Sequence, residues 1–171
     1  MTQTPVFLGL TAIGIVHTAV GLVALLLGIV ALGRDHEIRT SDGVGRFYLV
    51  ATLITAATSL LIFRHGGFNI AHILGLLTLA ALAVGFFAAT TTTFRSWSRR
   101  IQAFCFSATI LFHLIPGVTE VLTRLPVGGT PLVSSAEAPV LRPIFAGLLI
   151  VFLTGVVFQL RWLSKAEARM P

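Results

Sequence analysis

At 171 residues the chain has the length of a single domain. Hydrophobic residues make up 56% and charged residues 11%, less than half the roughly 25% charge of a soluble domain. A soluble globular class is therefore excluded, and an all-α integral membrane bundle is expected. The net charge of +6 does not point to nucleic acid, because no basic run with interleaved aromatics is present. The basic residues instead cluster at the ends of apolar runs, where they orient a membrane protein and meet lipid headgroups.

In chain order, MTQTPVFLGL lacks the positive n-region of a cleavable signal, and the apolar run that follows is long enough to span. It is expected to be a retained helix. A spanning helix needs about 20 mostly apolar residues, and five segments meet or approach that. They are 6–32, 47–63, 68–94, 101–123 and 144–163, the second being short and rich in threonine and alanine. Counting Lys and Arg by side puts nine on one side, Arg34 through Arg169, and three on the other, Arg64, Arg124 and Arg142. The positive-inside rule then places the N-terminus outside and the C-terminus in the cytoplasm. The last external loop carries Pro126, Pro131, Pro139 and Pro143, which oppose regular helix. Either a lid over the outer mouth or a plain surface loop fits it.

Gly14, His17, Gly21 and Gly28 fall near one face of the first helix, so His17 is expected to point into the bundle. His36 and His65 belong to loops, with His36 in the charged run RDHEIR. The single Cys105 excludes an internal disulfide and reads as a small buried hydrophobe.

Four ionisable residues lie within the spans: His17, His72, His113 and Glu120. Such groups are costly in the bilayer core and usually face a partner or a polar cavity. At about 1.5 Å per residue, His17 and His113 form a deep pair roughly 16 Å from the outer boundary. His72 and Glu120 form a shallow pair about 6 Å deep by the same rise. His113 and Glu120 are seven residues apart and share a helix face. Pro116 between them frees the carbonyl of Phe112 and is expected to kink the helix. Arg124 is placed to pair with Glu120.

Three readings fit these residues. His17 and His113 at matched depth suit the axial ligands of a heme b, with Arg124 or Arg64 toward its propionates. His72 and Glu120, with His17 and His113 if they share one site, suit a zinc, copper or iron ion. The third reading needs no cofactor, the polar groups making hydrogen bonds between helices.

The stretch TSLLIFRHGGFNIAHILGLLTL, residues 58–79, resembles the prokaryotic membrane-protein family of unknown function called DUF2306. Gly67, Phe68, His72 and Thr78 match its pattern, Ala71 stands where proline is usual, and GRFYLV at 45–50 is similar to the family's opening. The resemblance covers roughly residues 8–115 and implies a small helical bundle with a recurring histidine at position 72. It implies no activity. The expected function is thus that of a multi-pass prokaryotic inner-membrane protein with an outward-facing His/Glu site, serving heme-based electron transfer, an accessory or assembly role in a larger complex, or metal- or proton-linked transport. The expected partners are the bilayer, other membrane subunits or a second copy. No nucleophile triad and no phosphate-binding glycine loop is present to define an enzyme.

Overall fold

The computed structural model describes residues 11–63, 67–126 and 129–168. Among them every regular element is helical: α1 (Ala12–Asp35), α2 (Gly43–Ser59), α3 (Ile70–Thr90), α4 (Ser98–Arg124) and α5 (Leu141–Glu167), with a 3-10 turn at Arg95–Trp97. The caps follow from the sequence. Thr11 accepts from the Gly14 N–H at 3.1 Å to open α1, and Asp42 accepts from the Gly45 N–H at 3.1 Å to open α2. His36 closes α1 in the left-handed region at φ 60, its N–H donating to the Leu32 carbonyl.

Helices α1, α3, α4 and α5 are long and apolar enough to cross a membrane. Of the five expected spans, α2 is the one that is not of this length. Its 17 residues reach only about 25 Å at 1.5 Å per residue. One face of α2 is apolar and exposed, with Phe47, Val50 and Leu53, while the other is buried and polar, with Tyr48, Thr52 and Thr55. That division dilutes the apolar run that reveals a spanning helix in a sequence.

Helix α1 packs on α2, α3 on α4, and α2 on α3, while α4 closes the bundle against α1. Helix α5 lies outside this group and packs mainly on α4. Small residues set the close approaches, as is common between helices in lipid. A Cβ at Gly28 would come within 2.7 Å of the Tyr48 ring, and one at Gly85 within 2.5 Å of Phe106. Cys105 is buried at the same α3–α4 contact, in keeping with a small hydrophobe. Ala24, Ala31, Ile38, Phe106 and Ile110 form the apolar core around Tyr48.

The charged run RDHEIR is anchored to the bundle rather than freely solvated. Glu37 is 2% exposed and Ile38 is fully buried. Arg99 at the start of α4 and Arg39 each reach the Glu37 carboxylate at 2.7 Å. Gln102 donates to the Ile38 carbonyl at 3.0 Å. Burial pushes the Glu37 carboxyl up, but the hydrogen bonds from Arg99 and Arg39 outweigh it and hold it below the usual range. Arg34 with Asp42 and Arg100 with Glu167 join the same region. The last turn of α1, the start of α4 and the end of α5 thus meet at one basic end.

The proline-rich segment after α4 carries no helix among its described residues, and its Val133 N–H donates to the Leu122 carbonyl at 3.0 Å. This ties the segment to the end of α4. Helix α4 continues through Pro116 without interruption.

Candidate functional site

Helix α2 carries Tyr48, Thr52, Thr55 and Ser59 at spacings of four, three and four, which places them along one face. A polar seam results where that face meets α1 and α4. Tyr48 and Thr52 are fully buried, as is Thr109 on α4. The Tyr48 hydroxyl hydrogen-bonds the Thr109 hydroxyl, which itself donates to the Phe106 carbonyl at 2.7 Å. One turn further along α2, Thr52 Oγ1 lies 3.1 Å from His113 Nε2. The Tyr48 and His113 rings stand edge to face, 6.5 Å apart.

His17 meets the seam from α1. Its Nδ1 lies 3.0 Å from the Thr55 carbonyl and 3.2 Å from Thr58 Oγ1. A carbonyl only accepts, so His17 carries a hydrogen on Nδ1, and the neutral ring then has its lone pair on Nε2. The Thr58 hydroxyl donates to the Ile54 carbonyl at 2.8 Å and is left to accept from the imidazole. Gly21, one turn on from His17, lets the helices close: a Cβ there would lie 3.3 Å from the Thr55 methyl and 4.0 Å from His113 Nδ1. The deep pair therefore does converge, through α2 rather than directly.

The shallow pair does not. His72 is 1% exposed and serves the N-terminus of α3. In a capping box, Asn69 accepts from the Ala71 N–H at 2.9 Å while its own N–H donates to His72 Nδ1 at 3.3 Å. The His72 ring lies between Phe63 and Phe68, with centroids 4.7 and 5.3 Å away. Its buried Nε2 has no hydrogen-bond partner among the described residues. Glu120 is exposed at the far end of α4 and forms an ion pair with Arg124 one turn later. Among the described residues no three His, Cys, Asp or Glu side chains gather into a metal-binding group. The four-residue metal site thus finds no support in the geometry, since His72 and Glu120 have separate local partners. Arg64 and His65 lie outside the described residues.

Sequence reasoning missed the threonines that hold the two histidines, although the spacing of Thr52, Thr55 and Thr58 at intervals of three was readable. It also missed Glu37, whose partner Arg99 is 62 residues away and has no local signature. Searches of protein-family models, curated proteins and solved structures found no match for this chain.

Proposed function

We propose that the chain is a multi-pass protein of a prokaryotic inner membrane, with its N-terminus outside, acting as an accessory or assembly subunit. In this reading His17 and His113 are neutral hydrogen-bonding residues that tie α1 and α4 to α2. One observation carries it: both imidazoles are engaged by α2, and His113 Nε2 is taken up by Thr52. Helix α5 adds support, since it packs mainly on α4 and presents Leu149, Ile150, Leu153 and Phe158 outward. Such a face suits lipid or another membrane subunit. Protein isolated in mild detergent is expected to elute within a larger assembly and to show neither a Soret band nor bound iron. Elution as a free monomer overturns the accessory role.

A heme b protein is the second reading, and His17 favours it. A metal-bound imidazole commonly donates its other N–H to a backbone carbonyl, as His17 Nδ1 does to Thr55. Here His113 would have to leave Thr52 to bind iron through Nε2. A Soret band that disappears in both His17→Ala and His113→Ala establishes this reading in place of the first.

A further inference from the structure

A groove of about 680 Å³ runs between α4 and α5, within the roughly 300–1,000 Å³ of ligand-sized sites. Leu111, Leu114, Leu148, Val151 and Phe152 line it, and Gly155 leaves one wall open, with nothing within 4 Å of where its Cβ would stand. Ser107 and Gln159 along it are engaged internally. Ser107 donates to Gln159 Oε1 at 3.0 Å, and Gln159 Nε2 donates to the His36 carbonyl at 2.7 Å.

The charge lies at one end. Trp162, Arg161 and Lys165 line the groove where α5 reaches the basic end of the bundle. Trp162 is fixed there, its ring 4.9 Å from that of His36 and 5.9 Å from the Arg99 guanidinium. Arg34, Arg39, Arg99 and Arg100 are all matched with carboxylates. Arg161 and Lys165 are exposed, four residues apart on one helix face, and carry no ion pair among the described residues. An apolar trough with two unmatched cations and an indole at its mouth complements an amphiphile with a negative head.

We infer that this groove holds an acyl chain of an anionic phospholipid, with the lipid phosphate between Arg161 and Lys165. The inference rests on the chain lying in a bilayer and does not depend on the role of the histidines. The chain has two tryptophans, so a Trp97→Phe background leaves Trp162 as the only indole reporter. In that background, reconstituted in phosphatidylcholine bilayers, Trp162 quenching by brominated phosphatidylglycerol is compared with quenching by brominated phosphatidylcholine. The anionic lipid is expected to quench at severalfold lower mole fraction. Removing each charge, in Arg161→Gln and Lys165→Gln, is expected to reduce that preference about five-fold, the value of one basic residue near an anionic surface. Gly155→Phe, which fills the groove and leaves both charges, is expected to weaken quenching by both lipids. Equal quenching by the two lipids in the parent overturns the proposal, as does a preference that survives the double charge variant. Protection of Trp162 from both lipids, with dimerisation that rises with protein density, assigns the groove to a second copy and also overturns it.

Discussion

His113 Nε2 on α4 lies 3.1 Å from the Thr52 hydroxyl on α2, at a level where Gly21 brings α1 against Thr55 and His113. Three helices therefore meet around one side-chain hydrogen bond. In lipid such contacts contribute modestly, because the separated helices also find partners for their polar groups. A double-mutant cycle on His113→Leu and Thr52→Val is expected to give a coupling of about 0.6–1.7 kcal/mol. Reversible unfolding in mixed micelles measures it, and a coupling near zero removes the bond from the account.

Gly28 tests the packing of α1 independently of any polar contact. With the Tyr48 ring 2.7 Å from the place of a Cβ, even Gly28→Ala forces Tyr48 or α1 to move. A loss of about 1–3 kcal/mol is expected from overpacking, read as a lower unfolding midpoint in detergent. Gly147→Ala, which has nothing within 4 Å of its Cβ, is the matched control and should be nearly neutral.

At the basic end, Glu37→Gln removes a buried carboxylate from Arg39 and Arg99. The expected cost near neutral pH is about 1.5–3 kcal/mol, the range for hydrogen bonds to charged groups. Because the folded carboxyl is held below its usual range, its contribution is fully present above the unfolded value of about 4.3. It is lost as the pH falls through the lower folded value. The stability gap between parent and Glu37→Gln should thus narrow on acidification below about pH 4.3, as followed by melting curves across pH.

The cap of α3 contrasts with this. Asn69→Ala removes an N-cap and should cost about 1 kcal/mol. His72→Phe loses the reciprocal bond to the Asn69 N–H, but it also removes the buried Nε2 that has no described partner. The offset makes it the milder of the two substitutions in the same melting assay. The reverse order would mean that His72 Nε2 has a partner of its own, such as a bound ligand.

The spans were legible because long apolar runs are a direct physical requirement of lipid. Helix α2 was harder to read. Its boundary lies at Gly43 rather than at 47 because Asp42 caps it, and half its surface is polar because that half faces α1 and α4. Depth counting brought His17 and His113 to the same level, and they do converge. It failed for His72 and Glu120, because equal depth does not fix direction around a helix axis. His72 turns toward Phe63 and Phe68, while Glu120 pairs with the arginine one turn away. Glu37 lay beyond reach of the sequence, since only the folded chain brings Arg99 to it.

The central claim, that α2 threonines hold both deep histidines, is tested most directly by histidine-selective 15N NMR of the parent and of Thr52→Val. The account predicts that the His113 ring resonances move in Thr52→Val while those of His17 keep their single Nδ1–H pattern. Unchanged His113 resonances in that variant would contradict it.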